Sequence, residues 1–437
     1  MEPQITQKLI QIINEEIIPL APVSCAYKSI IRQIGDCSIV LIGEATHGTE
    51  EFYQIRMEIS EILIKKHGFM AIAIEGDWPD AYQVHRYLQG NSPINNATEV
   101  LNVFKRFPSW MWRNLSMVAF LQKLRTFNDS LPPQEKIGFY GLDLYSLNTS
   151  MEAVIEFLRK KDPVAAQRAI NRYSCFDHVK VDPQLYGYLS ALKPKKSCLD
   201  EVVTQLLEMQ HHAFKYIKAD GLRAEDEYFF ATQNARLVKN AENYYRNLLE
   251  DHITTWNIRD THMAETVNVI ADHLQKRRNQ PAKLIVWAHN SHVGDARATE
   301  MGQKGEVNLG QLLRETHDKN VYTLGFSTYQ GTVTAANNWG EPPQQKRILP
   351  GSPGSYELLF HNACHQNFVL HLNQNAKLEK FLNVPHLQRA IGVIYRPETE
   401  RFSHYFLTHL PLQFDSLIHI DTTNFLKPVD TKTQTHL

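Results

Sequence analysis

Five short apolar runs frame this chain: SIVLI (residues 38–42), MAIAI (70–74), KIGFY (136–140), KLIVWA (283–288) and VYTLGF (321–326). Each is short for a buried helix and rich in β-branched or aromatic residues, the composition of strands covered on both faces. Helical stretches lie between them, starting with one near residues 50–66. Strands alternating with helices predict an α/β fold with a largely parallel central sheet flanked by helices. Polar residues follow the runs rather than precede them: Glu44 and His47, Glu75 and Asp77, Asp143, and His289 and His292. In open α/β sheets ligands bind beyond the carboxyl ends of the strands. Parallel strands would bring these side chains to one rim.

The rest of the chain punctuates this pattern. LIQIINEEIIPL places Leu9, Ile12, Ile13, Ile17 and Leu20 near one helical face, and Pro19 and Pro22 end it. Strand-like runs vanish between about residues 150 and 280. Residues 223–278 contain neither proline nor glycine and read as one or two long helices. The segment before them carries Pro163, Pro183 and Pro194 and a basic loop, Lys193-Pro194-Lys195-Lys196, expected to be a solvated turn. The expected organisation is a catalytic core from residues 1–149 and 281–437, with 150–280 a helical insertion forming a lid over the strand carboxyl-terminal rim. Beyond Gln330, WGEPPQQKRILPGSPGSYE predicts long loops, and residues 390–395 and 417–420 predict short strands.

Charge and cysteine usage narrow the class. The 46 basic and 47 acidic residues nearly cancel, which gives no electrostatic case for nucleic acid or an anionic membrane. No run of about 18 apolar residues suggests a membrane span, and the amino terminus does not read as a signal peptide. Five cysteines (Cys25, Cys37, Cys175, Cys198, Cys364) are widely spaced, form no CxxC, and read as free thiols in a reducing compartment. The expectation is a soluble cytoplasmic protein acting on a small molecule. Its oligomeric state is not readable from the sequence.

The chemistry sits in GEATHGTEEF and WAHNSHVGD. Histidine as a residue type can take a proton from water, which makes His47 a candidate base, with Glu44 fixing its tautomer. Arg56, about two turns into the next helix, can steady a carboxylate or an oxyanion. The plain alternative is a capping loop, with Thr46 or Thr49 as cap and Glu50 and Glu51 in the first turn. Glu75 closes an apolar strand, where a carboxylate needs a partner; Arg56 and Arg113 are the candidates. His289 and His292 follow a buried strand and suit acid/base work or metal ligation, with Asn290 and Ser291 placed to orient either ring. Phe104, Phe107, Trp110 and Trp112 read first as core, although Arg106 and Arg113 among them keep a pocket open as a reading. Trp110, Arg113, Asp143 and Asn290 are the candidate substrate-binding residues.

Rival chemistries lack their motifs. GxSxG, HExxH, GxGxxG and GxxxxGK[ST] are all missing, so Ser291 is a weak candidate nucleophile. His211-His212 and the His361, His365 pair read as surface or packing histidines. No cofactor is expected, with a divalent metal on Glu44, Glu75, His289 and His292 kept as an alternative.

GEATHGTEEFYQIR, AIAIEGDWPDAY, FKRFPSWMWRN, IGFYGLDLYSL, WNIRDTHMAET and WAHNSHVGDARATEMGQKGEVNLGQLLRE carry a resemblance to the erythromycin esterase family. The tail segments STYQGTV, GSYELLFH and ERFSHYF are similar to a branch whose members carry succinoglycan-biosynthesis names. The resemblance implies attack of water on an ester carbonyl without a serine acyl-enzyme. It implies His47 as general base, Glu44 and Glu75 orienting His47 and the water, and His289 with Arg56 stabilising the oxyanion. His292 would support them. The expected function is hydrolysis of a carboxylic ester or macrolide-like lactone, a chemistry of antibiotic resistance. The alternatives are a metal-dependent hydrolase of another small-molecule or saccharide-linked substrate, and a non-catalytic binding protein.

Overall fold

A computed structural model describes residues 3–21, 23–179, 183–192, 197–217, 221–373, 375–382 and 384–429. Pro22 and the basic loop Lys193-Pro194-Lys195-Lys196 lie outside these residues. The strands are β1 (Ile18–Pro19), β2 (Ile39–Ile42), β3 (Ala71–Asp77), β4 (Gly138–Asp143), β5 (Leu284–Trp287), β6 (Val321–Ala335), β7 (Gln344–Ile348), β8 (Phe368–His371), β9 (His386–Arg389), β10 (Tyr405–Thr408) and β11 (Ser416–Thr423). The main sheet runs β1-β8-β11-β6-β2-β5-β3-β4, with β7 paired to the extension of β6. From β11 to β4 every neighbouring pair is parallel; β1, β7 and β8 join antiparallel. β9 and β10 form a separate antiparallel pair.

β2, β5 and the first four residues of β3 are apolar at every position because both faces are covered. Ile39, Leu41, Ala71, Ala73, Leu284 and Val286 face one core, and Val40, Ile42, Ile72, Ile74, Ile285 and Trp287 face the other. This is the two-residue alternation of side chains along a strand. The first core is shared with the amino-terminal helix Pro3–Glu16 and with the helical region. Within that region run the long helices Leu222–Arg246 and His252–Arg278, which contribute Leu237, Val238, Met263, Val267 and Ile270. The second core takes Phe52, Ile59 and Leu63 from the helix Glu50–His67. That helix ends where Gly68 adopts a left-handed conformation (φ 74°) and its N–H returns to the Leu63 carbonyl. The helical region therefore packs on a face of the sheet. Its His252–Arg278 helix reaches the rim with His252, Trp256 and Arg259.

Three expectations are corrected. QQKRI, read as loop, is β7, because β6 runs past the predicted strand to Ala335 and its edge groups pair with Gln344–Ile348. Residues 390–395 are not a strand: the strand is β9, and Ile391 and Ile394 make isolated bridges to Thr46 and Ala336. Cys175 and Cys198 are not free thiols but a disulfide, their Cα atoms 6.0 Å apart across a separation of 23 residues. Helix packing, not spacing, brings them together. Cys25, Cys37 and Cys364 are free. Among the described residues no helix is long and apolar enough to cross a membrane.

Candidate active site

The parallel strands deliver their polar tips to one rim, as the order of runs and motifs predicts. Glu44 and His47 follow β2, Glu75 and Asp77 end β3, Asp143 ends β4, and His289 and His292 follow β5. Backbone bonds lock the two histidine loops together. The Asn290 N–H donates to the Glu44 carbonyl (2.8 Å), and the His289 N–H donates to Glu75 Oε2 (2.8 Å). Gly43 is needed here, since a Cβ at that position would collide with the Asn290 side-chain oxygen.

His47, Glu75, Asp143, His289 and His292 line a cleft of about 440 Å³, with Trp112, Tyr145, Trp256 and Trp339 among its aromatic walls. Nδ1 of His47 bonds Glu44 Oε1 at 2.9 Å. The carboxylate accepts, so the proton of a neutral ring sits on Nδ1 and the lone pair on Nε2. Nδ1 of His289 accepts from the Ser291 N–H (3.2 Å) and contacts the Ser291 hydroxyl (2.8 Å). A neutral His289 therefore carries its proton on Nε2, which is buried beside the Ala45 carbonyl. Burial, with His47 beside it, lowers this imidazole to about 3 against the opposing pull of Glu75, so it is neutral at physiological pH. The two rings lie 4.9 Å apart.

Behind this pair sit charges that never reach the cleft. Arg56 is fully buried; its Nη2 lies 2.7 Å from Glu44 Oε2, an ion pair rather than an aligned hydrogen bond. The rings of Tyr53 and Trp287 cover the guanidinium at 4.5 and 5.3 Å. The geometry therefore corrects the oxyanion role for Arg56: it holds Glu44. It also corrects the expected partner of Glu75, which is neither Arg56 nor Arg113 but Arg259, at 2.8 Å. Burial alone would raise the Glu75 carboxyl; His292, His47 and Arg259 together hold it well below the usual carboxylate range.

Of the four candidate substrate-binding residues, only Asp143 lines the cleft. Trp110 is buried in the apolar layer beneath the rim, and Trp112 stands in the wall. Arg113 lies outside it, its carbonyl accepting from Val429 N–H, whereas Arg106 stands in the wall. Asn290 is spent on the backbone of Phe326, donating to its carbonyl at 2.7 Å. His361 stacks on Tyr329 and bonds Asp421 at 2.7 Å, the packing role expected of it.

Two neighbours missed by the sequence reading complete the site. Arg259 donates from Nη2 to Glu75 and Asp143 (2.8 and 2.7 Å), and its Nη1 lies 3.0 Å from His292 Nε2. Asp260 accepts from Nδ1 of His292 at 2.9 Å. Burial lowers His292, but Asp260 and Glu75 outweigh it and Arg259, lifting it to about 9. A guanidinium can only donate, so its contact at Nε2 suits a neutral ring protonated on Nδ1 against Asp260, whereas two carboxylates against one guanidinium favour imidazolium; the two pulls oppose at Nε2, with Glu75 3.4 Å away. Trp256 stacks on this ring at 4.6 Å. The signal for both residues was WNIRDTHMAET, where an Arg-Asp pair stands within the helix His252–Arg278. The metal alternative does not fit this geometry. Both Glu44 oxygens serve His47 and Arg56, and among the described residues no group of three His, Cys, Asp or Glu is disposed to hold an ion.

The family model for erythromycin esterase matches residues 64–423. The chain belongs to the erythromycin esterase family. It is 23% identical over 323 residues to erythromycin esterase type II of Escherichia coli, covering 71% of this chain and 73% of that protein. It is 22% identical over 400 residues to putative hydrolase YbfO of Bacillus subtilis (strain 168), covering 88% and 83%. Among solved structures, a Bacillus cereus protein superposes with a TM-score of 0.79 at 22% identity, covering 97% of this chain and 99% of that one. A succinoglycan biosynthesis protein gives 0.75 at 20%, covering 98% and 100%. A mutant of the erythromycin esterase EreC in its open conformation gives 0.65 at 15%, covering 91% and 94%. The structural likenesses establish the erythromycin esterase fold, and the family and its named relatives place the chain among hydrolases.

Proposed function

We propose that this protein hydrolyses a carboxylic ester or lactone of a small molecule by direct attack of water activated at His47, without an acyl-enzyme. The observation that carries the reading is the opposite fixing of two adjacent imidazoles. Glu44 claims the Nδ1 proton of His47 and leaves Nε2 as a base. The Ser291 amide claims the Nδ1 lone pair of His289 and leaves Nε2–H as a donor. Water between the rings gives its proton to His47 as its oxygen attacks the carbonyl carbon. His289 donates to the oxygen that gains the negative charge. Collapse of the tetrahedral intermediate breaks the C–O bond, and the His47 imidazolium returns the proton to the leaving alkoxide. Glu44 stabilises that imidazolium, and Arg56 keeps Glu44 in place.

The relative named for erythromycin makes a macrolide-like lactone, and hence a part in antibiotic resistance, the first substrate to try. The test is mass spectrometry of erythromycin and a panel of lactones and simple esters incubated with the wild type and with His47→Ala. Gain of one water that depends on His47 supports the reading. Hydrolysis that survives the substitution overturns it.

A further inference from the structure

We propose that Arg259 and Asp260, adjacent on the helix His252–Arg278, are a positioning pair that assembles this site, so that turnover requires that helix to be docked on the rim. The inference rests on the ester-hydrolase reading. The two side chains diverge from one turn of helix, meet His292 at opposite ring nitrogens, and each also holds a group the other does not touch. Arg259 joins the tips of two strands through one nitrogen, donating to Glu75 on β3 and Asp143 on β4. Those carboxylates both approach the same nitrogen, so without a cation between them they would repel one another in a site shielded from water. Glu75 in turn accepts the His289 N–H, which places the proposed oxyanion donor. Asp260 is fully buried, orients His292 through Nδ1, and accepts the Leu309 N–H at 2.9 Å.

The same arginine lies against the cleft-lining Tyr145 ring at 5.0 Å, and Arg106 lies against that ring at 4.7 Å while paired to Asp77. Tyr145 is tied to the other long helix, where the Tyr245 hydroxyl donates to its carbonyl (3.0 Å). Both long helices therefore make polar contact with the rim. A structural ion pair alone would need one partner; Arg259 engages three groups, each belonging to or touching the proposed machinery. A lysine keeps the charge but has a point ammonium where the guanidinium has a planar fork, so it cannot hold all three.

The test compares wild type, Arg259→Lys, Arg259→Ala and Asp260→Asn by kinetics on p-nitrophenyl esters and erythromycin, and by NMR titration of the His292 imidazole. The groups facing that ring are Asp260 and Arg259 on the helix, Glu75 on β3, and Glu306 and His289 from the loops. The expectation is a fall in kcat of about 100-fold for Arg259→Ala, the scale of a misplacement near 1 Å, with KM changed little and Arg259→Lys recovering only part. Asp260→Asn is expected to lower the His292 pKa by at least about one unit, and Arg259→Ala to raise it. Unchanged kcat in Arg259→Ala, or a His292 titration indifferent to both changes, overturns the proposal. Should the wild type hydrolyse nothing on the panel, the hydrolase reading fails and the titration alone decides the positioning role. Should Arg259→Ala fail to fold, Arg259→Lys and Asp260→Asn decide it, and wild-type kcat and titration in both overturn it.

Discussion

The rings of His47 and His289 lie with centroids 4.9 Å apart and planes inclined by 49°, yet their proton-carrying nitrogens are reversed. The reversal is set by a carboxylate at one Nδ1 and a backbone amide at the other. His47→Ala is therefore expected to abolish turnover while leaving the melting temperature within a few degrees of wild type. Its side chain is partly in the cleft and its loss leaves Glu44 still paired with Arg56. Kinetics and calorimetry on the one variant check this; wild-type turnover would sink the mechanism.

His289→Ala removes the donor and keeps the base. The expected loss is about 10²–10³ in kcat with KM little changed, the usual cost of one oxyanion donor. A fall confined to KM would instead assign His289 to ground-state binding.

Arg56 touches no substrate, yet its removal should be costly. Arg56→Ala leaves the Glu44 carboxylate buried without its cation and opens space beneath Tyr53 and Trp287. About 3–5 kcal/mol of stability should be lost. Urea unfolding measures this, and a loss below about 1 kcal/mol would show that the pair contributes little.

Asp80 lines the cleft beside Asp77, and its carboxyl is pushed up to about 7, by burial first and by Asp77 second. A raised carboxyl favours folding in its protonated form. Its contribution is full below about pH 4 and is lost as pH rises through about 7. Asp80→Asn should thus stabilise the protein at pH 8 by about 1–2 kcal/mol, discounted for partial solvent screening, and change little at pH 4. An equal shift in melting temperature at both pH values would refute the assignment.

The Cys175–Cys198 bridge closes a loop of 23 residues' separation within the helical region. Loop-closure entropy puts its worth at about 3 kcal/mol. Cys175→Ser, or reduction with dithiothreitol, should lower the melting temperature and broaden helical unfolding seen by circular dichroism. A melting curve indifferent to reductant would show that the bridge adds nothing to stability.

Much of this architecture was legible in the chain because strands buried on both faces must be apolar throughout. SIVLI, MAIAI and KLIVWA read as such strands in an α/β protein, and the position of Glu44, Glu75 and His289 after them fixed which rim they occupy. The β6 extension and its partner β7 were not legible. TVTA and QQKRI are polar and mixed, and only pairing satisfies their backbone groups. Trp110 and Trp112 are two residues apart, and nothing in their identities says which faces the cleft.

What the sequence determined by itself is the largely parallel character of the sheet, the family, and which residue types stand at the strand tips, since these follow from periodicity and from local motif. What tertiary structure alone decided is partnership. Arg56 belongs to Glu44 and Arg259 to Glu75, Asp143 and His292. Cys175 belongs to Cys198, and Asn290 to the backbone rather than to substrate. The reason is physical: a buried charge or thiol takes the partner that packing brings within a few ångströms, and separation along the chain, 184 residues for Arg259 and Glu75, carries no information about that distance.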